Sequence, residues 1–397
     1  ERHLPYQPLT SVTVEHPWYL GVLRIVRVRL ETDAGSRREP DLTLLLRLRD
    51  ADRLTDVACR HLQPNRTTRS YRPNPLSVAF LSLVTSDSLT GVLFAATLIS
   101  QTGKLLGKEI EDRVLTSLTR LMELLAFGLP PLAAVIALTI LGGWLLDFLS
   151  NLVRHLGFQA VRDGERLTVR NGIFTLREYQ LSVNKINFLQ LRQSLLTLML
   201  GYCAVMINCT GYGKEKNEMA VLLPAANKAE LDHSLRLILP EIRPCYGRGW
   251  HSAKDVLSRY LIPPLSLLGA MLAVLGLCWW KLPGLHRLLF FLGLMAILPA
   301  VWWLFVKIGA FLYNGIEMRG RTCTFRTVWG YAFYTTVTSC DKIVRVELRW
   351  SLFQRMRKCC DVVIHLRCEK GRKITVKDIP RADAEDFLES FSRFGAG

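Results

Sequence analysis

The residues most able to bind a ligand are clustered arginines and lysines, in a chain whose formal net charge is +17. There are three such clusters: Arg24, Arg27 and Arg29; Arg355, Arg357 and Lys358; and Lys370, Arg372 and Lys373. Each cationic side chain close to an anionic membrane surface contributes about 1 kcal/mol of attraction. The clusters therefore predict contacts with anionic lipid headgroups. An ordinary solvated protein surface is the alternative interpretation.

Motifs for catalysis or cofactor binding were not found. The sequence has no HExxH, no CxxC pair, no GxxxxGK[ST] and no GxSxG. Gly211–Lys214 resembles a phosphate loop but lacks the following Ser or Thr, and a hairpin turn explains it better. Cys359 and Cys360 point to opposite faces if they lie on a strand, and no histidine stands at zinc-ligand spacing. We therefore expect no enzyme activity, no cofactor and no metal.

One acidic residue, Asp87, lies inside an apolar segment, Leu76–Ser100. If that segment crosses a membrane directly, the carboxylate costs about 2.5–3.5 kcal/mol and marks a functional position. If the membrane helix instead begins at Ser88, Asp87 or Ser86 caps its first turn. Both interpretations stay open, and Asp87 is a candidate intramembrane polar residue.

The elements that must position these residues are of two kinds, and the first is apolar helices. Half of the residues are hydrophobic although the chain is strongly basic. They concentrate in four segments of about the 20 residues needed to cross a bilayer: Leu76–Ser100, Leu124–Leu149, Val256–Trp280 and Leu288–Leu312. Buried core helices of this length would need a much larger soluble domain around them. The sequence therefore predicts an integral membrane protein.

The second kind is a strand-rich unit, Val183–Gly211, that occurs three times. Pro8–Ala34 aligns with Lys185–Gly211 without a gap at an offset of 177, and Asp341–Cys368 aligns with Asn184–Gly211 at an offset of 157. Apolar residues coincide in four columns at strand spacing: Val12/Leu189/Val346, Val14/Leu191/Leu348, Val28/Val205/Val362 and Leu30/Ile207/Ile364. A period of two indicates strands with one buried face.

Strand-rich modules and helix pairs alternate along the chain. The predicted boundaries are the C-terminal part of a first module at 1–62, a linker at 63–75, a first helix pair with an amphipathic connector at 76–150, a second module at 151–240, a linker at 241–255, a second helix pair at 256–312 and a third module at 313–397. Each module is expected to end in a helix, at Lys228–Leu239 in the second and Ala382–Phe394 in the third. Because the first module enters part-way through the repeat, we expect opening strands and a further helix pair upstream of Glu1.

The distribution of positive charge predicts the orientation. If each helix pair is a hairpin, all three modules share one side, which holds 13, 14 and 16 Lys and Arg residues in its three parts. The two loops on the opposite side hold four and two. Because positive residues near membrane helices stay in the cytoplasm, we expect cytosolic modules, and ten reduced cysteines.

The repeated unit resembles the bacterial pleckstrin-homology (PH) domain. The resemblance is carried by RLTVRNGIF at 166–174, KINFLQLRQSLLTLMLG at 185–201, VMINCTG at 205–211 and, in the third copy, VRVELRWSLFQRMRKC at 344–359 and IPRADAEDFL at 379–388. The alternation with helix pairs resembles the YdbT-type membrane proteins. Trp350 and His16 stand where the second copy has Gln193, so a shared polar role at that position is not expected.

This resemblance implies an α+β polytopic membrane protein of the bacterial cytoplasmic membrane. Transmembrane hairpins would alternate with small PH-like antiparallel β-barrels, each closed by a C-terminal helix. It also implies a smaller partner subunit with one such domain, and no known reaction.

Two hypotheses for function follow. The first is a scaffold that self-associates or joins a homologous PH-domain subunit in a membrane complex. The second is anionic phospholipid binding, or lipid transfer and protection against envelope stress, through the basic loops and the grooves between the hairpins. A nucleic-acid partner is not expected, because the aromatic residues lie mostly in the apolar segments and form no predicted stacking platform.

Overall fold

The computed structural model describes residues 9–21, 23–32, 42–58, 68–74, 78–79, 82, 142–150, 152–153, 157–172, 175–209, 220–244, 248–281, 286–367 and 372–395. Contacts divide the chain into two compact units. One unit holds all the strands together with the adjoining ends of the two long apolar helices, and residues 263–304 fall in the other.

The strands, in chain order, are β1 Leu9–Pro17, β2 Ile25–Thr32, β3 Leu42–Arg47, β4 Thr68–Tyr71, β5 Gln159–Asp163, β6 Arg166–Asn171, β7 Thr175–Ser182, β8 Ile186–Ser194, β9 Tyr202–Cys209, β10 Ala220–Asn227, β11 Arg248–His251, β12 Gly315–Arg319, β13 Thr322–Trp329, β14 Ala332–Ser339, β15 Ile343–Arg349, β16 Cys359–Leu366 and β17 Lys373–Pro380. The helices are α1 Trp18–Gly21, α2 Leu48–Ala58, α3 Leu195–Leu200, α4 Lys228–Ile238, α5 Leu257–Lys281, α6 His286–Tyr313, α7 Leu352–Met356 and α8 Arg381–Gly395. Residues 142–150 are also helical.

The strands form three antiparallel sheets. The first has the order β3-β2-β1-β7-β6-β5-β4, the second β10-β9-β8-β14-β13-β12-β11, and the third β15-β16-β17. Each seven-stranded sheet therefore combines three strands that end one module with four strands that begin the next.

Two strand pairings join successive modules, and we call them the first and second seams. The first seam pairs β1 with β7 from Ser11 opposite Leu181 to Pro17 opposite Thr175. The second pairs β8 with β14 from Phe188 opposite Thr338 to Ser194 opposite Ala332. Adding the repeat offsets of 177 and 157 to the first register reproduces the second. Both seams therefore use equivalent strands in the same register.

The hydrophobic cores are organised by module and not by sheet. The core of the second module combines residues of β5–β7 with residues of β8–β10 and α4, including Leu167, Val205 and Leu235. The core of the third combines β11–β13 with β15–β17 and α8, including Phe325, Val362 and Phe387. A smaller cluster lies between β1, β2 and α2.

The second seam also exchanges side chains between these cores. Val337 of β14 is buried in the core of the second module. Phe188 of β8 is buried in the core of the third, where the Arg372 guanidinium lies 5.4 Å from its ring centroid. Hydrogen bonds add to the pairing: Gln190 Nε2 donates to Thr336 Oγ1 at 3.3 Å, and Thr338 Oγ1 donates to the Asn187 carbonyl at 2.8 Å. The seam is thus a packed interface as well as a backbone ladder.

Local backbone features recur at equivalent positions. A register shift interrupts the ladder after Leu9, Ile186 and Ile343. A short helix follows the paired strand at α1, α3 and α7, and the turn into the next strand uses a positive φ at Arg24 (52°), Gly201 (74°) and Lys358 (52°). Capping boxes, Ser194 with Thr197 and Ser351 with Gln354, begin α3 and α7.

The two long helices are apolar and barely covered by protein. Among the described residues, Leu257–Lys281 and Ala296–Tyr313 are long and apolar enough to cross a membrane, and only 6% and 17% of those windows are buried. A core helix of a soluble domain would be mostly buried. Tyr260 and Phe311 pack edge to face at the module ends of the two helices, with ring centroids 5.7 Å apart. The second predicted helix pair therefore has the length and the exposure expected in a bilayer.

Each predicted linker contains the first strand of the module that follows it. Residues 63–75 contain β4 and residues 241–255 contain β11. Tyr71 packs against the core of the second module, and Trp250 is buried in the core of the third, where its Nε1 donates to Asp386 at 2.9 Å. Edge strands of four residues with one aromatic side chain each carry too little apolar alternation to be found by periodicity.

Candidate functional site

A groove of about 500 Å³ lies where α5 begins, next to the short helix α7. One wall comes from the start of α5 and the residue before it, with Val256, Ser258, Arg259 and Ile262. The other comes from α7 and its flanking residues: Ser351, Phe353, Gln354, Met356 and Arg357. The groove therefore joins one predicted basic cluster to the module end of an apolar helix.

The capping box of α7 sets the shape of this groove. Ser351 N donates to Gln354 Oε1 at 2.9 Å, and Gln354 N donates to Ser351 Oγ at 3.4 Å. Gln354 is buried, and its Nε2 donates to Asp361 Oδ1 at 2.6 Å and to Asp378 Oδ1 at 2.8 Å. With the polar side chain turned inward, α7 presents Phe353 and Met356 outward, where they are 80% and 84% exposed. Exposed apolar side chains of this size mark an interaction surface.

Two arginines supply the charge of the groove. The Arg259 guanidinium donates to the buried Asp378 carboxylate at 2.6 Å, so part of its charge is neutralised. Arg357 Nη1 donates to the Asp255 carbonyl at 2.6 Å and to Ser258 Oγ at 3.0 Å. Because both acceptors of Arg357 are neutral, its positive charge is available to an anion.

The neighbouring thiols are not suited to chemistry. Burial raises the pKa of Cys360 to about 11 and raises the pKa of Cys359 as well. The thiolate is the reactive form of cysteine, so both residues are inert at neutral pH. Among the described residues, no group of three or more His, Cys, Asp or Glu could hold a metal ion.

The other residues of the third module's clusters lie apart from the groove. Arg355 is exposed on α7, Lys358 is exposed two residues after that helix ends, and Lys373 is exposed on β17. Arg372 is used at the second seam, where its Nη2 donates to Gln190 Oε1 at 2.9 Å. Lys370 lies outside the described residues.

The first module's cluster is divided between a turn and the first seam. Arg24 is exposed at the positive-φ turn. Arg27 and Arg29 lie 3.7 Å and 3.5 Å from Glu15 Oε2, and Arg177 of β7 lies 3.7 Å from Glu15 Oε1. The candidate Asp87 lies outside the described residues. Of the eight predicted headgroup residues that the structure describes, only Arg357 lines the groove.

Sequence reasoning did not assign Ser258, Arg259, Phe353 or Met356 to a site. They belong to two segments nearly a hundred positions apart. A local signal was present, because Ser351 followed by Gln354 three residues later is the capping-box pattern. It predicts a short helix whose remaining side chains face outward. Chemically, the groove can hold an anionic group at Arg357 and an apolar chain along Ile262, Phe353 and Met356.

Comparisons with known proteins agree with these features. The family model for the bacterial PH domain matches residues 113–241, which include the second module. The UPF0699 transmembrane protein YdbT of Bacillus subtilis (strain 168) is 20% identical over 399 residues, covering 94% of this chain and 76% of that protein. Neither name denotes an enzyme, and no solved structure matches the chain. The chain is thus similar to the YdbT-type membrane proteins along nearly its whole length, and residues 113–241 match the bacterial PH domain.

Proposed function

We propose that this protein is a non-catalytic scaffold of the bacterial cytoplasmic membrane. Three PH-like modules stand on the cytosolic side, each tethered by a hairpin of membrane-crossing helices, and they organise a complex with a homologous PH-domain subunit. The observation that supports this proposal best is the pair of seams, in which equivalent strands join successive modules in one register.

The pairing at the seams suits a scaffold because it depends on the backbone. An edge strand offers unpaired N–H and C=O groups to any strand of suitable shape. Each seam joins seven consecutive residue pairs, between β1 and β7 and between β8 and β14. A module built this way can join a neighbour without a specialised binding loop. Two such joints also limit the freedom of three tandem modules.

The packing within each module supports the PH-like assignment. Four strands from one sheet and three from the next enclose the core of the second module, and α4 closes it with Leu231, Leu235 and Ile238. In the third module, α8 closes the core with Ala384 and Phe387. This packing supports the proposal of a small PH-like unit ended by a helix.

Purification of the full-length protein in a mild detergent tests the scaffold. We expect a second polypeptide with a PH-like domain, or a second copy of this chain, to remain bound through size-exclusion chromatography and to be identified by mass spectrometry. A protein that elutes as a monomer without any partner across a range of detergents contradicts the proposal. Protease added outside intact cells must also leave the third module uncut.

A second candidate function, anionic phospholipid binding, is favoured by the groove beside α7. Its cation Arg357 and its apolar residues Ile262, Phe353 and Met356 lie together at the end of an apolar helix. A phosphate near the guanidinium and an acyl chain along the apolar wall would match both halves of such a lipid. Phe353 and Met356 would then be immersed at the level of the headgroups.

Lipid retention by the full-length protein tests this second function. In native mass spectrometry from a mild detergent, we expect phosphatidylglycerol to be retained in preference to phosphatidylcholine. Arg357→Ala removes about 1 kcal/mol of attraction, so the affinity for the anionic lipid falls about fivefold. Arg345→Ala is the matched control, since this exposed arginine belongs to the same module but not to the groove. Equal retention of both lipids, or equal loss in both variants, contradicts the headgroup site.

A further inference from the structure

The third module ends in a sheet with an unused edge. Among the described residues, β15 pairs with β16 alone, whereas its equivalents β1 and β8 each pair with a second strand at a seam. The strand that fills this position in both seams is the fourth strand of the next module, β7 or β14. The third module has no following module to supply one in the described chain.

The burial of the strand changes accordingly. On β8, the inward-facing residues Leu189 and Leu191 are 0% and 6% exposed. The equivalent residues of β15, Val346 and Leu348, pack against the third core but remain partly exposed. Val346 and Leu348 are apolar like their equivalents on β8. A neighbouring strand would bury them further, and the described chain does not provide one.

The remaining geometry of β15 matches that of the paired strands. The register shift after Ile343 repeats those after Leu9 and Ile186. A 3-10 turn precedes the strand at Cys340–Lys342, as Val183–Lys185 precedes β8. The edge therefore has the backbone shape from which a seam is built.

Charged residues are the usual means of protecting an edge strand from unwanted pairing. Arg345, Glu347 and Arg349 alternate along β15, and Glu347 Oε2 lies 2.7 Å from Arg349 Nη2. Charge at these positions is nevertheless compatible with a seam. Glu15 and Arg192 occupy the position equivalent to Arg349, and both strands are paired.

We propose that β15 is a docking edge for the fourth strand of a PH-like module on another polypeptide. This inference rests on the proposed scaffold function and names the surface through which it acts. The fourth strands of the two described modules already have neighbours on both sides. Strand β7 lies between β6 and β1, and strand β14 lies between β13 and β8. The incoming strand therefore belongs to a separate PH-like subunit and not to an undisturbed second copy of this chain's described modules.

The seams specify the register and the chemistry of the partner strand. It runs antiparallel, with Arg345 opposite the residue equivalent to Leu181 and Thr338, and Ser351 opposite the residue equivalent to Thr175 and Ala332. Opposite Arg349, the seams place Arg177 facing Glu15 and Tyr334 facing Arg192. Opposite charges stabilise cross-strand neighbours and like charges oppose them, and a guanidinium is attracted to the face of an aromatic ring. The partner residue facing Arg349 is therefore acidic or aromatic.

Site-specific photo-cross-linking of the full-length chain tests the inference. Arg349 is replaced by the photoreactive residue p-benzoylphenylalanine, in the membranes of the organism that makes the protein. The matched control carries the same residue at Arg192, the equivalent position of the paired strand β8. The control is expected to cross-link within the chain, at or next to Tyr334.

We expect the Arg349 variant to yield an adduct with a separate polypeptide, mapped by mass spectrometry to the fourth strand of a PH-like domain at the position of Arg177 and Tyr334. Adducts only with lipid, adducts with another segment, or no adduct while the control cross-links, overturn the inference and leave the scaffold proposal standing. If the control does not reach Tyr334, the seam itself is wrong, and both proposals fall together.

Discussion

Strands β8 and β15 occupy equivalent positions in two successive modules, yet β8 is an interior strand of its sheet and β15 is an edge strand. Their repeat positions, register shift and following capped helix agree. Their burial differs because β14 lies beside β8, and no described strand lies beside the outer edge of β15. The comparison teaches that the environment of this strand is decided by the next module and not by its own sequence.

The short helices that follow these strands differ in the same way. Leu195 at the start of α3 is 9% exposed, since it packs against Val306 of α6 and Phe333 of β14. The equivalent Leu352 at the start of α7 is 81% exposed. A neighbouring module thus converts an exposed apolar helix into part of an interface. The apolar surface of the short helix is therefore exposed in the third module, whereas the equivalent surface of the second module is buried.

The largest expected effect comes from the pair Phe188 and Arg345, which occupy equivalent positions. Phe188→Ala removes a buried ring from the core of the third module and is expected to cost about 3–5 kcal/mol. Arg345→Ala changes an exposed side chain and is expected to stay within about 0.5 kcal/mol. Thermal unfolding of the full-length protein in detergent measures both. Equal midpoints for the two variants would contradict the exchange of side chains at the second seam.

The next effect compares the same substitution at equivalent leucines. Leu191→Ala in β8 is expected to cost about 2–4 kcal/mol, because the side chain is nearly fully buried. Leu348→Ala in β15 is expected to cost less than half as much in the purified chain, because its side chain is partly exposed. Unfolding in the presence of the proposed partner should bring the two costs together. Equal costs in the isolated chain would show that the edge of β15 is already covered.

The turn after each short helix offers a smaller contrast. Gly201 and Lys358 have positive φ angles of 74° and 52° at equivalent positions. Because left-handed backbone disfavours residues with a Cβ, Gly201→Lys should destabilise the protein by about 1 kcal/mol, and Lys358→Gly should stabilise it by a similar amount. A Cβ at Gly201 would meet its nearest atom, Asn227 Oδ1, at 3.6 Å, so the cost is conformational and not steric. Unfolding midpoints of the two variants that move in the same direction would contradict this.

The smallest effect concerns Arg162 and its equivalent Arg319. Arg162 donates to the Ile238 carbonyl at 2.7 Å and to Glu241 Oε1 at 2.6 Å, which fastens the end of α4 to β5. Since Glu241 is half-exposed, we expect Arg162→Ala to cost about 1 kcal/mol or less. Arg319→Ala, in an exposed residue of β12, should be close to neutral. Unfolding midpoints at pH 7 distinguish the two variants.

This contact also has a pH dependence of known sign. The hydrogen bond from Arg162 lowers the pKa of the Glu241 carboxyl below its ordinary value of 4.5. The unfolded chain therefore binds the proton more tightly than the folded chain does. The stabilisation by this contact is complete above about pH 4.5 and declines as the pH falls through the folded-state pKa. The difference between the natural protein and Glu241→Gln should accordingly shrink below about pH 4.5. A difference that grows on acidification would refute this account.

Much of the local structure was predictable because side-chain periodicity and capping act over a few residues. The closing helix predicted at Lys228–Leu239 was found as α4, and the apolar segments Val256–Trp280 and Leu288–Leu312 differ from α5 and α6 by one or two residues at each end. The short strands β4 and β11 escaped prediction because four residues with a single aromatic side chain leave no period to detect. The candidate site was predicted only in Arg357, since the rest of the groove comes from another segment.

Residue types and their spacing along the chain predict the three copies of the strand-rich unit, the apolar helices between them and the excess of positive charge. Each of these depends on residue types at short range or on a sum over the chain. Which strands lie side by side is seen in the folded chain alone, because backbone hydrogen bonds between strand edges depend little on side-chain identity. Gln190 and Thr336 meet across the second seam although they are 146 positions apart. Because such pairing depends mainly on the backbone, the edge of β15 can accept a strand from another polypeptide.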